Sequence, residues 1–439
     1  MNYNKKVLIL GLGYVGLTLG LVFAKNGIKV FGFDIDKKTI KLLKSKRPTF
    51  YEKNIAKYIN RYINKSFQLV EQIETADIYI ITVGTPLKKQ RKIPEIEYLK
   101  KSAISVASKI KKNDLVILRS TVPIGITRKL VIPILERKSY LKAGKDFKIS
   151  FCPERTVEGN ALQELETLPQ IVGGFDKKSF NQSKKLFLHN TSQIINAETL
   201  EGAEMCKLLD NTYRDTIFAY SNQMAKLSEK LNLNLHDLIE KVNFNYSRNF
   251  IPRPSPGVGG PCLTKDPYIL DDVFKKNNLK SEIILNSRKI NESMVLNIYS
   301  RCRHYFLKKG KDIKKTKIFI IGIAFKGTPP TGDTRSSTSL DLVNLLKTKK
   351  VKNIFAYDYD VSRSDLKQLN LNFLTIEAGF KNSDCVIIMN EHKAYKKLNI
   401  NKLIMTMKKN SLLFDSWGIF RKNTNIKKKK DIKYIGIGF

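Results

Sequence analysis

The stretch VLILGLGYVG at residues 7–16 sets the strongest limit on what this chain can become. A short apolar run ends in Gly11-Leu12-Gly13-Tyr14-Val15-Gly16 and passes into a second apolar segment. Read as strand, tight turn and helix, each glycine has a task. One turns the chain, one lets a pyrophosphate reach the backbone, and one lets helix and strand pack closely. The helix N-terminus favours the charge of that diphosphate. Asp34 ends the next apolar run, 18 residues after Gly16. A carboxylate there holds the adenosine ribose hydroxyls and repels a 2′-phosphate, so the expected dinucleotide is NAD rather than NADP. Residues 7–24 are uncharged and largely apolar, a length that also invites a signal-peptide or membrane-span reading. Glycines at 11, 13, 16 and 20 weaken that reading and no clear cleavage site follows, so no membrane association is expected.

At 439 residues the chain has room for two or three domains. Continuous apolar runs at 6–10, 29–33, 78–83, 115–118 and 149–152 are separated by helix-length segments, as in a buried parallel sheet with crossover helices. From about residue 200 the period changes. Cys206, Leu209, Tyr213, Ile217, Tyr220, Met224, Leu227 and Leu231 fall at steps of three and four, which predicts one long amphipathic helix over 198–231. Strand-like runs return at 317–321, 353–357, 385–389 and 412–415, after a Lys-rich linker at 308–315. The expected fold class is α/β: two Rossmann-like parallel-sheet domains, 1–197 and 315–439, joined by a helical domain, 198–307, that serves dimerisation.

Several local patterns carry chemistry. Thr85, in Val83-Gly84-Thr85-Pro86, and Thr121, in Ser120-Thr121-Val122-Pro123, follow predicted strands, where the carboxyl ends of a parallel sheet present loops to a ligand. Phe151-Cys152-Pro153-Glu154-Arg155 ends another strand, with Glu158 just beyond; Glu154 could orient a water or take a proton. Lys207, Asn211 and Arg214, spaced by four and three, share a helix face, although alone they read as a solvated polar stripe. Pro256-Gly257-Val258-Gly259-Gly260-Pro261-Cys262-Leu263-Thr264-Lys265-Asp266-Pro267 is the sharpest pattern. Such a loop brings backbone N–H groups to a substrate, and nearby positive charge lowers a thiol pKa. A thiolate can then attack an aldehyde carbon. Pro267 disfavours helix at Asp266, so a simple helical turn joining Cys262 to Asp266 is not assumed. Cys152, Cys206, Cys302 and Cys385 read as structural. Lys326 and Arg335 flank a loop that runs into a helix with Ser or Thr as its cap, and both suit a phosphate.

Composition bounds the partners. Lys+Arg is 79 against 40 Asp+Glu, a formal net charge of +39. The lysines are spread along the whole chain, and the 427–430 run reads as a solvated loop, so nucleic acid is not expected as a partner. A positive field still speeds encounter with an anionic nucleotide substrate. Five scattered cysteines without a CxxC pair argue for a reducing, cytoplasmic setting.

In order along the chain, GxGYVGL, TVP, CPER, the Lys-x-x-x-Asn helix, GGxCxxKD, GxAFK and GDTR resemble the UDP-glucose/GDP-mannose dehydrogenase family over nearly the whole length. Ala203-Glu204-Met205-Cys206-Lys207 and Pro256-Gly257-Val258-Gly259-Gly260 are more similar to the branch acting on UDP-N-acetylhexosamines; Lys265 is similar to the UDP-glucose branch. Trp417 stands where family members often carry Arg or another polar residue. The resemblance implies NAD-dependent four-electron oxidation of a UDP-sugar C6 alcohol to the uronic acid, for polysaccharide precursors. UDP-glucose is the alternative substrate. It implies Cys262 as covalent nucleophile, Lys207 and Asn211 as oxyanion stabilisers, Asp266 and Glu154 as handlers of protons and water, and Thr121 as holder of a water or the cofactor. Gly11, Gly13, Tyr14, Val15, Gly16, Asp34, Thr85, Thr121, Glu158 and Arg335 are expected at the cofactor. Glu154, Arg155, Lys207, Asn211, Arg214, Gly259 and Lys326 are expected at the substrate, with Arg248 supplied by a second subunit of a homodimer or larger homo-oligomer. No metal is expected. A two-electron hydroxy-acid dehydrogenase would have no use for the cysteine, and a non-catalytic nucleotide-sugar sensor would need none of this chemistry.

Overall fold

The computed structural model describes residues 4–88, 92–248 and 250–439. In chain order the strands are β1 Val7–Leu10, β2 Val30–Phe33, β3 Phe67–Leu69, β4 Ile78–Ile81, β5 Leu87–Lys88, β6 Ile93–Pro94, β7 Leu115–Leu118, β8 Lys148–Phe151, β9 Gln170–Gly174 and β10 Ile194–Asn196. They continue as β11 Lys317–Ile321, β12 Asn353–Tyr357, β13 Asn372–Phe373, β14 Cys385–Ile388, β15 Ser411–Asp415 and β16 Ile432–Gly436. The first sheet runs β10-β9-β8-β7-β4-β1-β2-β3 and the second β13-β12-β11-β14-β15-β16, while β5 and β6 pair in a small ribbon. Both sheets therefore share one order, with a first strand at the centre and the chain reversing direction beside it.

The central strands β1, β4 and β7 are buried at every residue, as continuous apolar runs covered on both faces require. Side chains of one face, such as Ile9, Ile80 and Ile117, meet one helical layer; those of the other, such as Leu8, Ile81 and Leu118, meet the opposite layer. The register is parallel throughout both sheets except at β8 and β9, where Ser150 faces Gly174 in antiparallel pairing. The strands β3, β5, β6, β9, β10, β13 and β16 were not expected from the sequence. Most are short or carry polar and glycine residues, so neither run length nor alternation marks them. The strand expected at 78–83 stops at Ile81, because Thr82 turns its hydroxyl onto the Leu10 and Gly11 carbonyls at 2.9 and 2.7 Å.

The chain divides into two compact bodies, Met1–Asn211 with Tyr268–Lys280, and Thr212–Pro267 with Ser281–Phe439. The helix Leu200–Lys230 contributes to both. Its buried positions are mostly small or polar: Ala203, Glu204, Lys207, Asn211, Asp215, Ala219, Ser221, Asn222, Ala225 and Ser228. Much of its apolar stripe is exposed, with Leu209, Tyr213, Tyr220, Leu227 and Leu231 each about half or more open. Arg214 is exposed as well, so it does not share the buried environment of Lys207 and Asn211; Asp215 continues that line instead.

Candidate active site

In the N-terminal body, β1 delivers the chain to Gly11, whose φ of 96° requires a residue without a side chain. A Cβ on Gly16 would lie 1.9 Å from the Gly11 carbonyl oxygen, so this glycine lets the helix Tyr14–Lys25 seat on the loop. Nothing stands within 4 Å of a Cβ built on Gly13, and no side chain caps that helix. Its first N–H groups are therefore left for an anion. Asp34 Oδ2 accepts the Leu12 N–H at 2.6 Å and Oδ1 accepts that of Asp36 at 2.8 Å. A cleft of about 490 Å³ opens beside it, lined by Gly11, Gly13, Ile35, Val83, Pro86 and Tyr98 among others. A dinucleotide fits this arrangement: open glycine backbone and uncapped helix end suit a diphosphate, and the fixed carboxylate suits a ribose.

Tyr14 donates its hydroxyl to Glu52, a buried carboxylate that also accepts the Gly159 and Ala161 N–H groups at 2.7 and 3.1 Å. Glu52 thus ties the loop bearing Glu158 to the start of the nucleotide-binding helix. Burial and the Glu52 hydrogen bond push the Tyr14 phenol far above its ordinary pKa, so it stays neutral. Sequence reading missed Glu52, because a lone Glu outside any motif reads as a surface residue.

The loops after β4, β7 and β8 carry Thr85, Thr121 and Glu154. The Thr85 hydroxyl donates to the Thr121 carbonyl at 2.5 Å. Lys207 Nζ lies 3.6 Å from Glu154 Oε2, with both side chains at most 12% exposed. Glu154 and Arg155, expected together, diverge: Arg155 Nη1 is turned to the Pro169 carbonyl at 3.5 Å. Beneath them the buried Arg119 donates to the Cys152 carbonyl at 3.1 Å and to Gln170 at 2.8 Å. The Cys152 thiol is pushed up to about 12 by burial, in keeping with a structural role.

In the C-terminal body, Gly257 and Gly260 take φ of 92° and 91°. The Gly260 N–H donates to the Ser336 carbonyl at 3.1 Å, and a Cβ on Gly259 would stand 2.8 Å from that same oxygen. The glycines thus bring the loop backbone onto the segment that carries Arg335. Cys262 is exposed. Its carbonyl accepts the Lys265 and Asp266 N–H groups at 3.0 and 2.8 Å, and the helix Asp266–Lys276 follows at once. A helical turn thus joins Cys262 to Asp266, where Pro267 was read as disfavouring helix. Proline at the start of a helix lacks only an N–H that has no intrahelical partner there. Asp266 is buried, with Lys265 Nζ 2.8 Å away.

The loop is held from below by Ser255, whose N–H donates to Asn222 at 2.8 Å; Asn222 in turn donates to Asn291 at 2.9 Å. Asn291 and Arg288 both donate to Asp215 Oδ1, at 2.8 and 2.6 Å. Lys326 leaves the loop after β11, where Ser337 caps the helix Thr338–Thr348 as expected and also donates to the Ile323 carbonyl at 2.7 Å. Arg335 forms a double contact with Asp333 and is largely exposed. Trp417, at the end of β15, donates to the Met389 carbonyl at 3.0 Å. Arg248 is exposed, 5.8 Å over the Tyr246 ring. Among the described residues no cluster of His, Cys, Asp or Glu could hold a metal.

Models of the UDP-glucose/GDP-mannose dehydrogenase family match this chain in three successive parts. The NAD binding domain matches residues 5–191, the central domain 201–293 and the UDP binding domain 319–422. The chain is similar to UDP-N-acetyl-D-mannosamine dehydrogenase of Campylobacter jejuni, 30% identical over 92% of this chain and 99% of that one. Among solved structures it is similar to UDP-D-ManNAc dehydrogenase from Pyrococcus horikoshii, with a TM-score of 0.88 and 29% identity over 99% of both chains. A UDP-glucose dehydrogenase from Pyrobaculum islandicum also superposes, with a TM-score of 0.84 at 21% identity over 99% of this chain and 98% of that one. The fold alone therefore does not choose the sugar.

Proposed function

The chain belongs to the UDP-glucose/GDP-mannose dehydrogenase family, and on that premise we propose that it oxidises C6 of a UDP-N-acetylhexosamine, UDP-N-acetylmannosamine foremost, to the UDP-uronic acid. The observation that carries the mechanism is Cys262: exposed, with its carbonyl fixed at a helix start and with Lys265 and Asp266 beside it. Two NAD molecules, bound in turn, would each supply a hydride acceptor for one of two successive oxidations. Between them the Cys262 sulfur adds to the C6 aldehyde, forming a carbon–sulfur bond, and the second oxidation leaves a thioester on Cys262. Water then breaks that bond, releasing the carboxylate and restoring the thiol. Lys207 and Asn211 donate to the oxyanion at C6. Asp266 and Glu154 hold or move the protons of the alcohol and the water, and Thr121 orients a water. Gly259, Lys326 and the partner-supplied Arg248 contact substrate, while Glu158 and Arg335 contact the cofactor.

The assembly proposed is a homodimer through the helix Leu200–Lys230. Its exposed apolar residues continue into a groove of about 250 Å³ lined by Tyr220, Leu227, Leu231, Leu238 and Val242. Exposed Phe244 and Phe250 lie beyond on the chain. Isolated chains seldom leave so much contiguous apolar surface wet. No helix among the described residues is long and apolar enough to cross a membrane. The five free cysteines suit a reducing compartment, the cytoplasm.

The test is a panel of UDP-sugars with NADH formation as readout. UDP-N-acetylmannosamine is expected to give the highest kcat/KM. UDP-glucose as the best substrate would overturn the choice of sugar, and no NAD reduction with any UDP-sugar would overturn the activity.

A further inference from the structure

Glu204 lies on the helix Leu200–Lys230, three residues before Lys207, and is 1% exposed. Its Oε1 accepts the Thr127 N–H at 2.9 Å and the Thr127 hydroxyl at 2.6 Å, and its Oε2 accepts the Gly125 N–H. Gly125 and Thr127 end the segment that leaves β7 through Thr121, and the Thr85 hydroxyl holds the near end of that segment at the Thr121 carbonyl. Three donors on one carboxylate form a stronger clamp than a neutral acceptor can make. We infer that Glu204 is a positioning residue for the oxidation, its ionised carboxylate tying the 121–125 loop to the helix that carries Lys207 and Asn211. The inference rests on the dehydrogenase reading for its catalytic meaning.

The clamp is strongest when charged, and burial opposes the charge. Desolvation pushes the Glu204 carboxyl up to about 7, against the pull of its three hydrogen bonds. Glu201, on the preceding turn, raises it further. On the facing π-helical turn Thr127–Val131 the charged groups are Arg128, held by Glu201 at 2.7 Å, and Lys129. On its own helix the next is Lys207, beside Glu154. The three hydrogen bonds hold the carboxyl below the value it would have if buried but unbonded, so with the side chain still buried a proton on Glu204 weakens all three and the loop loosens as pH falls through about 7.

The experiment compares wild type, Glu204→Gln and Thr127→Val by kcat and KM against pH, with hydrogen exchange of the 121–127 amides, corrected for intrinsic rates, as a readout independent of turnover. Wild type is expected to lose kcat and amide protection together on the acid side of about 7. In Glu204→Gln, whose amide cannot accept all three donors, kcat falls on the order of tenfold or more with KM for the UDP-sugar little changed. That acid limb disappears, and protection is low at every pH. Thr127→Val removes one bond that favours the charged form, so the limb moves to higher pH. A Glu204→Gln enzyme with wild-type kcat, or one that keeps the same limb, overturns the inference. Should Glu204→Gln fail to fold, an unmoved limb in Thr127→Val does the same. Should no UDP-sugar be oxidised, the dehydrogenase reading fails, and the exchange data alone decide whether Glu204 holds the loop.

Discussion

Asp34 Oδ2 accepts the Leu12 N–H at 2.6 Å, and Asp358 Oδ2 accepts the Ile323 N–H at the same 2.6 Å. Each aspartate follows the second strand of its sheet. Each stands across from a glycine of positive φ at the end of the first strand, Gly11 at 96° and Gly322 at 89°. Each also accepts an N–H two residues on, from Asp36 and Asp360, at 2.8 Å. Beyond this shared turn the two diverge. Asp34 borders an open cleft, whereas Asp358 is buried, takes a second N–H from Ala324 at 3.0 Å and sits near packed rings. Tyr359 stacks on His392 at 5.2 Å and tilts on Tyr395 at 5.3 Å. The second sheet keeps the turn of a dinucleotide-binding unit, but its aspartate is buried rather than open to a cleft.

The difference predicts that Asp34 governs cofactor choice. Asp34→Ala is expected to raise KM for NAD about tenfold, the worth of one charge-assisted hydrogen bond, and to narrow the gap between NAD and NADP. Initial rates with both cofactors decide it. A wild-type enzyme that uses NADP as well as NAD would refute the role.

Cys262 is expected to be indispensable to acid formation. Cys262→Ala should bind NAD and UDP-sugar nearly as well as wild type, yet form no uronic acid and at most aldehyde-level product. Cys262→Ser should be severely slowed, because a hydroxyl of higher pKa is the weaker nucleophile. Ser at Cys152, Cys302 or Cys385 should keep activity but lose stability, all three being buried. Wild-type NADH production by a folded Cys262→Ala protein would rule out the covalent route.

Leu227→Asp combined with Leu231→Asp is expected to convert a dimer to monomer in light scattering, with the single chain still folded because both side chains are more than half exposed within it. A monomeric wild-type enzyme at full activity would refute both the interface and a partner-supplied Arg248.

His236 makes stability depend on acid. Burial pushes its pKa down to about 4, and its Nε2 sits 2.9 Å from the Ile437 carbonyl. The unfolded chain takes up a proton below about 6.5, while the folded chain resists until about 4. Stability is therefore full above about 6.5 and falls as pH drops toward 4, by on the order of 3 kcal/mol. Melting curves at neutral and acid pH should show a smaller acid shift for His236→Gln; an unchanged shift would assign the loss to other groups.

Most of the core was legible because β1, β4, β7, β11 and β14 are buried on both faces and so leave continuous apolar runs in the text. The nucleotide turn was legible because only glycine meets its steric demands. What stayed hidden are residues whose task depends on remote partners. Glu52 and Glu204 are buried acceptors for N–H groups far along the chain; nothing local distinguishes Glu52 from a surface glutamate, and the motif that holds Glu204 does not say what it binds. The long helix shows the same limit from the other side: its period was plain, but a period does not say which face the chain itself covers. Pro267 misled because a proline that breaks a helix interior is also a good residue to start one.

The segment Tyr268–Lys280 belongs to the N-terminal body, although residues 212–267, which precede it, belong to the other. Synthesis runs from one end, so that body is still missing a piece when its first 211 residues have emerged. It must wait, unfinished, until the chain has been extended to Lys280. A fragment cut at the apparent boundary near residue 200 would lack the same segment, and with it the contact of Lys92 Nζ with the Tyr268 hydroxyl at 2.6 Å. The two bodies are thus bound to a common order of completion, and neither can be cut free at a single point in the chain.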